Sequence, residues 1–93
     1  MLVRQWINER LAGGGVVNFE RLARDLVARG EDAGLDVGRK EVRVVLERMI
    51  RDGQVDTCQF LAEDQVYAPT VYDDRYIHFY WFRLHATAPT ARQ

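Results

Sequence analysis

One cysteine, Cys58, in 93 residues leaves no internal disulfide to form, which fits a reducing compartment and removes a disulfide-stapled scaffold as the basis of the fold. No apolar run approaches the ~20 residues that cross a bilayer. The N-terminus, Met1-Leu2-Val3-Arg4-Gln5-Trp6, lacks the apolar stretch and small-residue cleavage site of a secretory signal. The expectation is a cytoplasmic protein without membrane contact. Lysine is nearly missing: Lys40 stands alone among thirteen cations, a bias that GC-rich coding produces as readily as a need for bidentate phosphate recognition. No internal repeat or low-complexity segment is present. What remains is ordinary for a soluble globule, 47% hydrophobic and 29% charged, and long enough for one domain. Residues 1–85 are expected to form it, with 86–93 as a disordered tail.

The net charge of −1 conceals a segregation. Residues 1–29 carry +2, 30–38 carry −3, and 39–51 carry +3. Residues 52–74 then hold Asp52, Asp56, Glu63, Asp64, Asp73 and Asp74 with no lysine or arginine. Net charge gives no case for a nucleic-acid partner, but the pattern allows one basic face and one acidic face.

Hydrophobic spacing predicts three helices followed by strands. Val3, Trp6, Ile7 and Leu11 recur at helical intervals before the stop at Gly13-Gly14-Gly15. Val16-Val17 is a short β-branched pair, and Asn18 stands as N-cap of a second helix with Glu20 in its first turn. That helix carries Phe19, Leu22, Ala23, Leu26 and Val27 on one face and is expected to close at Gly30. Residues 30–38, with three glycines and three acids, read as a connection anchored by Leu35 and Val37. Val42, Val45, Leu46, Met49 and Ile50 then mark a third helix ending at Asp52-Gly53. Beyond Gly53 the period changes to two. Residues 54–61 read as a strand, 62–65 as a polar turn, and 66–72, with Pro69, as an edge strand or loop. Residues 76–84, Tyr-Ile-His-Phe-Tyr-Trp-Phe-Arg-Leu, form the strongest strand signal. The fold class is therefore α+β: a three-helix bundle with a C-terminal β-hairpin or small antiparallel sheet.

The order helix, short strand, helix, helix, hairpin, and in particular residues 19–26 followed by 41–55, resembles the winged-helix family, a helix-turn-helix variant, over roughly residues 1–85. The resemblance implies a small DNA-binding protein, a transcription regulator, with residues 39–52 as recognition helix. It also implies double-stranded DNA as partner. Two departures stand beside it. The link between the second and third helices is about nine residues where about 3 to 4 is usual, and the wing is acidic, so a duplex would repel it. The alternative reading is a winged-helix module that binds another protein through the acidic wing and the aromatic strand, without nucleic-acid contact.

With Val42 at the centre of the buried arc, a turn of about 100° per residue places Lys40, Arg43, Val44, Glu47, Arg48 and Arg51 on the opposite side of the third helix. Arginine there suits guanine edges and phosphates. Arg39, Lys40, Arg43, Val44, Glu47 and Arg51 are the candidate DNA-binding residues. Ordinary i,i+4 pairing of Glu47 with Arg43 and Arg51 accounts for the same pattern on a merely solvated face. In the strand expected over residues 76–84, Ile77, Phe79 and Trp81 share one face and His78, Tyr80, Phe82 and Leu84 the other. Both faces are largely apolar. Tyr80, Trp81 and Phe82 are therefore candidate interface residues, for a homodimer or another protein partner.

Catalytic chemistry is sparse. His78 and His85 are seven apart and would point to opposite faces of a continuous strand, Cys58 has no second cysteine at metal-ligand spacing, and Gly13-Gly14-Gly15 has no following Lys-Ser/Thr. With no nucleophile, base and orienting group in view, the expectation is a protein that is not an enzyme and uses no metal or cofactor.

Overall fold

A computed structural model describes residues 2–85. Helix α1 (Leu2–Leu11) buries Val3, Trp6, Ile7 and Leu11, the residues its spacing selects. A two-residue strand, β1 (Val17–Asn18), runs directly into α2 (Phe19–Asp32). Asn18 makes that junction. Its backbone is extended and its side-chain oxygen accepts from the Arg21 N–H at 2.9 Å, so one residue serves as strand end and helix cap. Helix α3 (Arg39–Arg51) buries Val42, Val45, Leu46 and Met49, and it terminates where Gly53 takes φ +79°.

Helix α2 runs two residues past Gly30, the position at which it was expected to close. Gly30 is buried inside the helix, where a β-carbon would lie 3.0 Å from Cβ and Cγ2 of Val37 and 3.1 Å from the Leu35 carbonyl oxygen. Its lack of a side chain lets the connection fold back against the helix. The left-handed position belongs to Gly34, at φ +73°. Val37 is buried and anchors the connection, whereas Leu35 is 43% exposed, so only one of the two expected anchors acts as one. The link between helices is residues 33–38, shorter than the nine residues expected.

Strand β2 (Val55–Leu61) turns through residues 62–65, with Gln65 at φ +57°, into β3 (Val66–Pro69). The pairing Leu61 to Val66, Phe60 to Tyr67, Gln59 to Ala68 and Cys58 to Pro69 makes an antiparallel hairpin. The predicted strand over residues 76–84 is replaced by a 3-10 segment (Asp74–Phe79) and a short strand, β4 (Trp81–Leu84). Two causes are visible. The Asp73 carboxylate accepts from the Arg75 N–H at 3.0 Å, and the Asp73 carbonyl accepts from the Tyr76 N–H at 2.9 Å, a local turn that competes with sheet pairing. One available partner is also short: β1 offers only Val17 and Asn18 to β4, which pairs on its other side with residues 55–58 of the seven-residue β2.

The four strands form one antiparallel sheet in the order β1-β4-β2-β3. Alternation along the strands and the cross-strand pairs place Val17, Val55, Thr57, Phe82 and Leu84 toward the helices. Asp56, Cys58, Phe60, Tyr67, Pro69, Trp81 and Arg83 lie on the outer face. Phe82 is fully buried between sheet and helices, and Ile77 of the 3-10 segment joins the same core. Phe79, expected beside Ile77 on one strand face, is 76% exposed. The expected tail, residues 86–93, lies outside the described residues, among which no helix is long and apolar enough to cross a membrane.

Candidate interaction surfaces

The outer side of α3 is the first surface the sequence singles out, and much of it is already engaged. Arg39 at its first turn reaches back to α2, where Nη2 and Nη1 donate to the two carboxylate oxygens of Glu20 at 2.6 and 3.1 Å. These hydrogen bonds hold the Glu20 carboxyl below the usual carboxylate range and raise Arg39 further. His78 Nδ1 lies 3.3 Å from the same carboxylate, with its ring edge-on to Phe19 at 5.7 Å. Arg43 has two partners: its Nε is 3.5 Å from Glu47, and its Nη2 donates to the Asp74 carbonyl at 3.1 Å. Glu47 in turn accepts from the Tyr72 hydroxyl at 2.7 Å.

These contacts come from the chain after β3. Residues 71–74 run along α3 as a strap, bounding with it an open groove of about 680 Å³. Tyr72 is half-buried, packs beside Tyr80 and Phe82, and has its hydroxyl ionisation pushed well above the ordinary tyrosine range, by burial first and by the Glu47 hydrogen bond second. The strap brings Asp73 and Asp74 to the same groove as Arg51. Asp73 is tied to Arg75 at 2.7 Å, which holds its carboxyl low. Lys40, Val44, Arg48 and Arg51 are exposed, and among the described residues these three cations have no ion pair.

The second surface is the outer face of the sheet. Of the three aromatic residues expected at an interface, Phe82 is core, while Tyr80 packs partly against the core with its hydroxyl accepting from the Asp73 N–H at 3.2 Å. Trp81 alone of the three faces outward. Two residues not singled out from the sequence extend it into a row: Tyr67 lies 5.4 Å from Trp81 and Phe60 lies 5.1 Å from Tyr67, ring centre to ring centre. Cys58 sits between Trp81 and Pro69 on that face, has no exposed area although it lies apart from the main core, and has its thiol pushed up by burial. The signal for Phe60 and Tyr67 is in the sequence. A four-residue turn over 62–65 sets Phe60 opposite Tyr67.

Among the described residues each histidine has a single carboxylate neighbour, His78 with Glu20 and His85 with Asp56 at 2.9 Å. Among the described residues no group of three or more His, Cys, Asp or Glu is placed to hold a metal ion. Comparison with known protein families, with curated proteins and with solved structures finds no match to this chain.

Proposed function

We propose that the chain is a non-enzymatic winged-helix module that binds another protein through the outer face of its sheet. The order α1, β1, α2, α3 and hairpin supports the winged-helix reading, with β4 as an added strand between β1 and β2. The observation that carries the protein-binding reading is the contrast between the two surfaces. Two of the cations that would meet a duplex, Arg39 and Arg43, are held by Glu20, by Glu47 and by the strap, while the aromatic row Phe60–Tyr67–Trp81 faces away from the core. An outward aromatic row of this kind is characteristic of interfaces. Panning a displayed random-peptide library tests it. Peptides should be retained by the native protein and lost on a Phe60→Ser/Tyr67→Ser variant whose far-ultraviolet spectrum is native. Retention by both proteins alike would refute this surface.

A second reading, duplex binding by α3 as a transcription regulator, is favoured by the exposure of Lys40, Val44, Arg48 and Arg51. Surface ion pairs are worth ~1 kcal/mol or less, so Arg39 and Arg43 are exchangeable toward phosphate. In that case log K for a random duplex falls with log salt at about −0.9 per phosphate contacted, and Lys40→Ala/Arg48→Ala reduces the slope. No duplex binding at low salt is the outcome expected from the first reading.

A further inference from the structure

The outer sheet face has chemistry of its own at the hairpin end, and it narrows what the surface accepts. The edge of the sheet is a poor acceptor of another strand. In β3 the Thr70 N–H is directed back to Thr57, so the pairing parity turns only the N–H groups of positions 67 and 69 outward, and position 69 is proline. One outward donor cannot sustain a ladder. Recognition therefore falls to the face rather than the edge.

At the tip of that face Phe60 shares a shallow cleft of about 390 Å³ with Glu63 and Asp64. Both acids are exposed, and among the described residues neither takes part in an ion pair. The row continues from Phe60 through Tyr67 to Trp81. Among the described residues of these strands a cation appears on this face only beyond Cys58, at the opposite end: Arg83, cross-strand from Asp56. An aromatic face bordered by unpaired carboxylates is complementary to a cation carried on an apolar stem, because the ring quadrupole and the carboxylates attract the same charge.

We infer that the occupant of this face is a basic, arginine- or lysine-bearing segment of another protein, seated across Phe60, Tyr67 and Trp81 with its cations toward Glu63 and Asp64. The inference rests on the protein-binding reading and adds to it the charge of the partner. Arginine suits the site best, since its planar guanidinium stacks on a ring while its N–H groups meet a carboxylate.

The test uses a fluorescein-labelled ten-residue peptide alternating arginine with small apolar residues, and the same peptide with glutamate replacing arginine, in anisotropy titrations against the full chain. Binding of the basic peptide should be at least about tenfold tighter than that of the acidic one and should weaken as salt rises. Glu63→Gln/Asp64→Asn, at exposed turn positions, should lose about tenfold, and Phe60→Ser/Tyr67→Ser should lose at least as much. Equal binding of both peptides, lost in the aromatic variant, would overturn the charge assignment while leaving the protein-binding face standing. Basic-peptide binding indifferent to both variants would place the site elsewhere and overturn the inference, as would no binding of either peptide. Concentration-dependent dimerisation abolished by Phe60→Ser/Tyr67→Ser would identify the occupant as a second copy and also overturn it.

Discussion

Replacing Tyr72 by phenylalanine tests how much of the strap's hold on α3 comes from the Tyr72–Glu47 hydrogen bond, beside the one from Arg43 to the Asp74 carbonyl. The substitution keeps the ring against Tyr80 and Phe82 and removes only the hydroxyl that donates to Glu47 at 2.7 Å. Hydrogen bonds to a charged group contribute ~1.5–3 kcal/mol. Two features reduce that figure here. The Glu47 side chain keeps 22% of its surface in solvent, and Arg43 remains 3.5 Å away as a second partner, so no carboxylate is orphaned. The expected loss is about 1 kcal/mol, which for a domain of this size lowers Tm by ~4–8 °C. Urea or thermal denaturation of Tyr72→Phe, Glu47→Gln and the double variant closes a cycle in which the coupling should also be about 1 kcal/mol. The pH dependence supplies an independent check. Tyr72 ionises at higher pH in the folded chain than the ordinary value near 10. Its stabilising contribution is thus fully present below pH ~10 and is lost as pH rises beyond it, a loss that Tyr72→Phe should not show. A Tyr72→Phe variant as stable as the native protein, within about 0.3 kcal/mol and with the same alkaline slope, would show that the strap is not fastened there.

Gly30→Ala should destabilise the protein by about 1–2 kcal/mol in urea denaturation, although alanine is the better helix former, because the new methyl meets Val37 and the fixed Leu35 carbonyl at 3.0–3.1 Å. Cys58 should resist a disulfide reagent such as Ellman's in the folded protein and react in Trp81→Ala, since burial both hides the thiol and raises its ionisation; equal rates in the two proteins would place its cover elsewhere.

The helices were legible because each carries one apolar stripe with charged residues elsewhere, and the stripes Val3–Leu11, Phe19–Leu26 and Val42–Met49 are the faces that are buried. Their ends were less so. Gly30 and Gly34 are both plausible terminators in sequence, and only the return of Val37 onto the helix shows that Gly30 is a packing position. The aromatic run of residues 76–84 misled for a similar reason. Its residue types favour a strand, but the turn at Asp73, which takes the Tyr76 N–H, and the two-residue length of β1 decided the outcome, and the second is not local to the run. For the candidate surfaces, the outward side of α3 was readable from its period. The residues that engage it, Glu20, Tyr72 and Asp74, are distant in sequence, and no periodicity reports them.

Strand order links these observations. Since β3 and β4 lie on opposite sides of β2, the chain leaving the hairpin must cross β2 before it can insert beside β1. The crossing segment places Tyr72 against Phe82, a residue on the helix-facing side of the sheet, so it passes on the side where α3 lies. Tyr72 then meets Glu47, the Asp74 carbonyl meets Arg43, Ile77 enters the core, and His78 comes to rest beside Phe19 and Glu20 at the start of α2. A hairpin paired directly with β1 would need no such crossing and would leave α3 open. The crossing therefore has two effects at once: it covers part of the outer side of α3, and the strand it leads into supplies Trp81 to the aromatic row on the far face. The same insertion that weakens the case for the first surface builds the second.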